Sequence, residues 1–285
     1  MAEWRINRQE NLQDVLDIAP PGTTIWLPAG VFRQKVVIRT PKITLIGAGR
    51  DRTVIVFDDN AHRMDKVGRP LGTFRSFTMA VTADDAALRG LTVINDAGDP
   101  TRNGQQAALS VCSDGLLMED CALVSTQDTL FLGPLPPDLR LRYADLLPEE
   151  LRRSEPLSSR FVGCRIAGSV DFIFGGGKAL FDSCEIVSVF DGRNAGYVAA
   201  PSHGEEQTVG FTFRRCRFTA DTDVSPRSVY LARPWRDHGL AVFEDCSYGP
   251  HIHPAGFDKW GTTDRDKTAR FYEKPPVRGR VAWVR

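Results

Sequence analysis

The side chains most able to do chemistry are polar residues that interrupt runs of apolar, strand-forming residues. Two of them are aspartates, Asp128 before Thr129-Leu130-Phe131 and Asp171 before Phe172-Ile173-Phe174-Gly175. The others are Gln106, Gln127, Arg233 and Trp235. Gln106 and Asp128 are 22 residues apart, and Asp128 and Asp171 are 43 apart. A chain that coils with a period of about 20 residues would therefore bring them together on strands about 4.8 Å apart.

Two carboxyl groups on neighbouring strands suit acid–base or nucleophilic catalysis. They cannot both ionise freely, so the pKa of one is raised while that of the other is held down. An arginine bonded to one aspartate would keep that carboxylate ionised, and glutamine amides can donate hydrogen bonds to an oxyanion formed during a reaction. A single aspartate beside a turn is more typical of a cap or an Asx-turn. The complete set indicates a catalytic site.

Such a site needs stacked strands, and the sequence contains a repeat that can build them. The pattern apolar-x-x-Cys-x-apolar occurs around Cys121, Cys164, Cys184, Cys216 and Cys246. Repeats of this kind with unequal spacing are typical of a solenoid whose loops vary in length. The segments between turns are rich in strand-forming residues, so we predict an all-β fold, a parallel β-helix. The cysteines are predicted to form an interior column of reduced, packed side chains.

Helix signals are few. The first apolar segment has helical spacing and ends at Pro20-Pro21-Gly22; its members are Leu12, Val15, Leu16 and Ile18. We predict a short N-terminal helix that caps the open end of the solenoid. The whole chain, residues 1–285, is predicted to be a single domain, with an inserted loop at about 133–160 that lies beside the site.

Composition restricts the classes of partner. The 285 residues include 36 basic and 36 acidic side chains, so a general basic excess for nucleic-acid binding is absent. No apolar run approaches the ~20 residues of a membrane span, so we expect no membrane partner. The first residues lack the apolar stretch of a secretory signal, and we expect a cytoplasmic location.

Several common catalytic arrangements are missing from the sequence. There is no G-x-S-x-G elbow, no phosphate-binding P-loop and no H-E-x-x-H zinc motif. His251 and His253 could lie on one strand face, but no third metal ligand is evident. We therefore expect these histidines to be exposed or hydrogen-bonded rather than metal ligands.

At its polar residues the chain resembles the pectin methylesterase family. Four blocks carry the resemblance, in this order: Gln106-Ala107-Ala108-Leu109, Gln127-Asp128-Thr129-Leu130-Phe131, Asp171-Phe172-Ile173-Phe174-Gly175 and Leu231-Ala232-Arg233-Pro234-Trp235. The resemblance implies a right-handed parallel β-helix. It also implies an enzyme that needs no cofactor and hydrolyses methyl esters of galacturonate residues in pectin, releasing methanol.

The resemblance also implies roles for individual residues. Asp171 would be the nucleophile, and Asp128 would protonate the departing methanol and then activate water. Gln106 and Gln127 would stabilise the oxyanion, and Arg233 would hold Asp171 charged and oriented. The remaining candidates, Trp235, Phe131 and Phe174, would bind the sugar ring. For the two phenylalanines, packing in the core is an equal alternative.

Two departures from the family's pattern are Gln34 where a glutamate is usual and Ala232 where a glycine is common. We expect Gln34 to have little effect on catalysis, and we expect the departures to bear on substrate length and shape more than on reaction type. We expect a monomer whose partners are water and a methylated galacturonide, more naturally a short oligomer than wall pectin because no secretory signal is evident. Two alternatives stay open: a non-catalytic β-helix that binds an anionic oligosaccharide, and an esterase or thioesterase for another acyl group.

Overall fold

The computed structural model describes residues 2–155, 157–281 and 283, and the strands in these residues form three parallel sheets. In spatial order, the first sheet contains Glu3–Arg5, Thr24–Trp26, Thr44–Ile46, Ala87–Arg89, Leu116–Glu119, Ser158–Val162, Lys178–Asp182, Phe211–Arg214, Leu240–Glu244 and Arg270–Lys274. The second contains Val36–Ile38, Met79–Val81, Leu109–Val111, Leu130–Leu132, Val170–Gly175, Gly196–Pro201 and Val229–Ala232. The third contains Gly30–Arg33, Thr53–Phe57, Thr92–Asn95, Ala122–Val124, Arg165–Gly168, Glu185–Ser188, Arg217–Ala220 and Ser247–Tyr248.

Successive strands of the chain pass from sheet to sheet, and each strand pairs in parallel with its counterpart one coil later. This arrangement is a right-handed parallel β-helix, as predicted, and the handedness is that of nearly all parallel crossovers. The helical segments are short: Leu12–Ile18, Pro100–Asn103 and Pro137–Arg142, with single 3₁₀ turns at Thr73–Arg75, Glu149–Leu151 and Arg265–Lys267. No helix in the described residues combines the length and the apolar character needed to cross a bilayer.

The predicted capping helix is confirmed at Leu12–Ile18. The Asn11 side chain accepts a hydrogen bond from the backbone of Gln13 and so begins the helix. The Gln13 amide then bonds the Val37 backbone in both directions, accepting at 2.7 Å and donating at 3.1 Å. The edge of the second sheet is thereby paired, which protects it from association with another strand.

The interior is a set of columns in which like side chains stack from coil to coil. Phe161, Phe181, Phe213 and Phe243 stack with ring centroids 4.9, 4.7 and 4.8 Å apart. All six cysteines are free thiols and five are buried, with Cys246 half-buried. The thiol of Cys184 donates to the Phe161 carbonyl at 3.4 Å, and that of Cys216 to the Phe181 carbonyl at 3.3 Å. The predicted cysteine column is therefore confirmed, and its thiols also bridge adjacent coils.

The segment at 133–160 packs against the outer face of the second sheet. Leu135, Leu139, Leu147 and Leu151 are buried in an apolar cluster separate from the solenoid interior. Phe131 belongs to this cluster, because Leu130 and Leu132 on either side of it point inward. The segment is thus a packed layer that forms one wall of the space above the second sheet.

Candidate active site

A cavity of about 280 Å³ lies above the second sheet and collects most of the polar residues that the sequence singled out. Its walls come from strand ends, from the segment at 133–160 and from the loops after Phe57 and Ala232. The lining residues that carry the chemistry are Gln105, Gln127, Asp128, Asp171, Arg233 and Trp235.

Asp128 and Asp171 lie at the starts of two adjacent strands. Leu130 is in register with Ile173, and the backbone N–H of Asp128 donates to the Val170 carbonyl at 3.1 Å. Both aspartates have left-handed backbone, with φ of 63° and 50°. This conformation is strained for most side chains, although aspartate tolerates it better than most.

The backbone irregularity at Asp171 continues into the sheet. The pairing of this strand with Gly196–Pro201 shifts register between Val170 and Ile173. A bulge of this kind redirects a side chain that regular alternation would point elsewhere. The strain is therefore associated with bringing the Asp171 carboxyl to the cavity.

Arg233 holds Asp171 in a two-point contact. Its Nε donates to one carboxylate oxygen at 2.8 Å and its Nη2 to the other at 2.7 Å. The guanidinium lies between two aromatic rings, with its carbon 3.6 Å from the ring centroid of Tyr197 and 4.1 Å from that of Trp260. Planar stacking fixes the guanidinium plane, and with it the carboxylate plane.

The environments of the two aspartates differ. Burial and the neighbouring Asp171 charge raise the pKa of Asp128 well above its usual 3.8. Burial also raises the pKa of Asp171, and the hydrogen bonds and charge of Arg233 oppose that effect without cancelling it, so the net pKa remains above 3.8. Among the described residues, none donates a hydrogen bond to the Asp128 carboxyl. Asp128 is therefore the carboxyl that more readily holds a proton, and Asp171 is the one whose ionised form Arg233 stabilises.

Gln127 reaches the cavity, but Gln106 does not. Gln106 is only 1% exposed, and its amide donates to the Gly98 carbonyl at 2.9 Å. The residue before it, Gln105, is half-buried and lines the cavity instead. The predicted oxyanion position of Gln106 thus needs correction by one residue, because adjacent residues of an extended segment point in opposite directions.

The three aromatic residues predicted to bind the sugar ring lie in two different environments. Trp235 and Phe174 line the cavity, with ring centroids 5.8 Å apart. Phe131 is fully buried beneath the segment at 133–160 and does not reach the cavity. The predicted substrate-binding position of Phe131 is therefore corrected to core packing, the alternative that the sequence left open.

Sequence reasoning missed several residues of the cavity wall. Tyr143 enters from the segment at 133–160, Thr73 and Phe74 enter from a 3₁₀ turn, and Trp260 enters from a loop near the C-terminus. Only Tyr143 had a usable signal, since its segment was predicted to lie beside the site. Within residues 2–155, 157–281 and 283, no three His, Cys, Asp or Glu side chains are grouped so as to hold a metal ion.

Comparison with known proteins identifies similar chains. The family model described as Pectinesterase matches residues 8–134 and 157–282, and the unmatched stretch lies within the segment at 133–160. Pectinesterase 31 of Arabidopsis thaliana is 28% identical over 274 residues, which cover 92% of this chain and 77% of that protein. The chain spans 45% and 64% of the lengths of two further Arabidopsis relatives.

The solved structures that align with this chain include pectin methylesterases. Pectin methylesterase PemA of Erwinia chrysanthemi aligns with a TM-score of 0.80 at 25% identity, covering 98% of this chain and 91% of that chain. A pectin methylesterase in complex with a hexasaccharide aligns with a TM-score of 0.78 at 26% identity, again over 98% and 91% of the two chains.

Proposed function

The chain belongs to the pectinesterase family, and from this membership and its site we propose that it hydrolyses methyl esters of galacturonate residues in pectin or its fragments. The products are methanol and a galacturonic acid carboxyl group, which loses its proton to solvent to become the carboxylate. The observation that carries the proposal is the paired arrangement of Asp128 and Asp171 in one cavity, with Arg233 bonded to Asp171 alone.

In the first half of the reaction, Asp171 acts as the nucleophile. One of its carboxylate oxygens attacks the ester carbonyl carbon, and the carbonyl oxygen becomes an oxyanion. Gln127 and Gln105, the two amides that line the cavity, then donate N–H groups to this oxyanion. Asp128 gives its proton to the methoxy oxygen, methanol leaves, and an acyl-enzyme anhydride with Asp171 remains.

In the second half, water replaces methanol. Asp128, now a carboxylate, takes a proton from water, and the resulting hydroxide attacks the acyl carbon. The bond between that carbon and the Asp171 oxygen breaks, which regenerates the Asp171 carboxylate and the protonated Asp128. Arg233 stays paired with Asp171 and supports its departure as an anion.

The aromatic wall suits a sugar ring. Trp235, Tyr143 and Trp260 line the cavity with Phe174 and Phe74. Aromatic faces pack against the apolar C–H faces of pyranose rings and shield the ester from bulk water. We also propose that the protein works as a monomer, since the proposed reaction needs no residue beyond those of this cavity.

We also propose that the substrate is a short methylated oligogalacturonide met in the cytoplasm. The six free cysteines support a reducing compartment, where disulfides are rare. Under this proposal, turnover is faster on short methylated oligomers than on polymeric pectin, and equal or faster rates on intact pectin would contradict it.

Methanol release tests the function directly. The wild-type chain is assayed with methylated oligogalacturonides of defined length, beside Asp171→Asn and the control Asp120→Asn. Asp120 is an exposed aspartate with the same left-handed backbone, φ 47°, away from the cavity. We expect release by wild type and by Asp120→Asn, with Asp171→Asn at least roughly 10³-fold slower. Binding of the oligomer without methanol release would indicate a binding module, and release of another acyl group alone would indicate a different esterase.

A further inference from the structure

A hydrogen-bonded cluster of Ser169, Asp191 and Arg193 adjoins Gln127. The Arg193 Nη1 donates to Gln127 Oε1 at 2.8 Å. The Arg193 Nε donates to Asp191 at 3.0 Å, and its backbone N–H donates to the same carboxylate at 3.1 Å. Ser169 donates its hydroxyl to Asp191 as well. Arg193 is therefore fixed at several points before it reaches Gln127.

The cluster is anchored to the coil that carries Gln127. The Ser169 backbone N–H donates to the carbonyl of Thr126, the residue before Gln127, at 2.8 Å. The Asp191 side chain is 3% exposed and that of Arg193 is 31% exposed. Burial raises the pKa of Asp191, but the hydrogen bonds from Arg193 and Ser169 outweigh it, and the net pKa is lowered. Asp191 is thus an ionised, buried support for Arg193.

Arginine decides which way the Gln127 carboxamide faces. A guanidinium has five N–H donors and no acceptor, so it can meet only the oxygen of a side-chain amide. A flipped amide would set N–H against N–H and lose the 2.8 Å contact. With Oε1 taken by Arg193, the Nε2 group is left to donate elsewhere. Within the described residues no protein acceptor takes it, and Gln127 lines the cavity beside Asp128 and Asp171.

We propose that Arg193 is a positioning residue for ester hydrolysis, which holds the Gln127 carboxamide with its NH₂ group toward the reacting carbonyl oxygen. The inference rests on the proposed function for its chemical meaning. Rotation about the last side-chain torsion of glutamine is soft and roughly two-fold, so an unheld amide would present its oxygen to the oxyanion part of the time. The charge of Arg193 also polarises the amide and strengthens its N–H as a donor.

A competing role for Arg193 is direct contact with a carboxylate of the galacturonide. That role would act on substrate affinity and would not depend on Gln127. The positioning role acts through Gln127 and is realised in the transition state, so it lowers kcat more than it changes KM. The two roles therefore differ in both kinetic parameters and in their dependence on Gln127.

The kinetic test is a double-mutant cycle of Arg193→Met and Gln127→Ala, with Arg214→Met as the matched control. Arg214 also pairs with a buried aspartate, Asp182, at 2.7 Å, and does not line the cavity. We expect Arg193→Met to lower kcat roughly 10- to 100-fold and Gln127→Ala roughly 10²- to 10³-fold. The double variant should match Gln127→Ala within about twofold, whereas additive losses or a dominant rise in KM would overturn the proposal. Arg193→Lys, which keeps a charge beside Asp191, provides a second variant if Arg193→Met unfolds.

A second readout does not need activity. The Gln127 side-chain amide is assigned by NMR as the ¹⁵N signal lost in Gln127→Ala, and its order parameter is measured in wild type and variants. We expect an ordered amide in wild type and in Arg214→Met, and a mobile one in Arg193→Met and Arg193→Lys. An amide that stays ordered without Arg193 would refute the positioning role whatever the kinetics. If wild type releases no methanol, the proposed function fails, and the NMR result still decides whether Arg193 orients Gln127.

Discussion

Arg233 donates to both carboxylate oxygens of Asp171 at 2.8 and 2.7 Å, although the two residues are 62 positions apart in the chain. The contact makes the two aspartates unequal. Asp171 has a fixed plane and a permanent counter-charge, whereas Asp128 lies one coil earlier in a buried position with no such partner among the described residues. The proposed division of labour between nucleophile and acid rests on this asymmetry.

Replacing Arg233 by lysine should reduce activity strongly even though the positive charge remains. A lysine ammonium cannot meet both carboxylate oxygens in one plane, so Asp171 would lose its orientation. We expect kcat to fall roughly 10²-fold, the cost typical of a small misplacement of a reacting group. The control is Arg214→Lys at a pair outside the cavity, which should keep wild-type kcat.

The same variant should change the pH profile in a defined direction. Arg233 lowers the pKa of Asp171 against the effect of burial, so weakening the contact raises that pKa. The nucleophile must be ionised, and the acidic limb of kcat/KM against pH should therefore move to higher pH in Arg233→Lys. An unchanged acidic limb would mean that another group controls it.

The ring of Tyr197 should contribute to catalysis without touching the substrate. It stacks on the Arg233 guanidinium at 3.6 Å and does not line the cavity. A cation–π contact of about 0.5–2 kcal/mol corresponds to roughly a 2- to 30-fold loss of kcat in Tyr197→Leu. Tyr230 stacks on the far side of Tyr197 at 5.5 Å and is the matched control. Equal losses in Tyr230→Leu and Tyr197→Leu would assign the effect to general packing of the stack.

The sequence predicted the positions of residues that lie on the stacked strands of successive coils. The 43-residue interval between Asp128 and Asp171 and the cysteine repeat both predicted coils, and the structure pairs those coils in parallel. The loops do not follow this periodicity. Trp260 reaches Arg233 from a loop near the C-terminus, and no local pattern around it predicts that contact.

The difference between Gln105 and Gln106 has a similar cause. Both belong to one polar pair at the entry to a strand, and a single step in an extended segment exchanges the buried and exposed faces. Which glutamine faces the cavity depends on the exact register of the turn before Leu109, and a repeat with unequal spacing does not determine that register.

Alanine substitutions at these two glutamines should therefore have different effects. Gln105→Ala removes a cavity amide, and we expect kcat to fall roughly 10²- to 10³-fold with little change in stability. Gln106→Ala removes a side chain of a 1%-exposed residue together with its 2.9 Å hydrogen bond to the Gly98 carbonyl, and we expect about 0.5–1.5 kcal/mol of lost stability with a smaller effect on kcat. Methanol release and urea unfolding of both variants provide the comparison, and the reverse pattern would return the oxyanion role to Gln106.

Asp128→Asn should stabilise the fold at neutral pH while it abolishes activity. Burial, together with the Asp171 charge, raises the folded-state pKa of Asp128 well above 3.8. The folded state therefore binds this proton more tightly than the unfolded state. The tighter proton binding adds to the free energy of unfolding. This contribution is fully present below about pH 4 and is lost as the pH rises through the folded-state pKa. A neutral asparagine avoids that loss, so its advantage over wild type should be largest at neutral pH and should vanish toward pH 4.

Thermal unfolding at a series of pH values from 4 to 8 measures this difference. The expected gain in Tm is a few degrees at pH 7, as is common when a strained catalytic group is neutralised. Asp120→Asn is the control, since Asp120 shares the left-handed backbone and is exposed. If Asp128→Asn is no more stable than wild type at pH 7, or if its advantage grows toward pH 4, Asp128 is not held as a proton-binding group. The acid role assigned to it would then lose its physical basis, because a carboxyl that ionises freely has no proton to give to methanol at neutral pH.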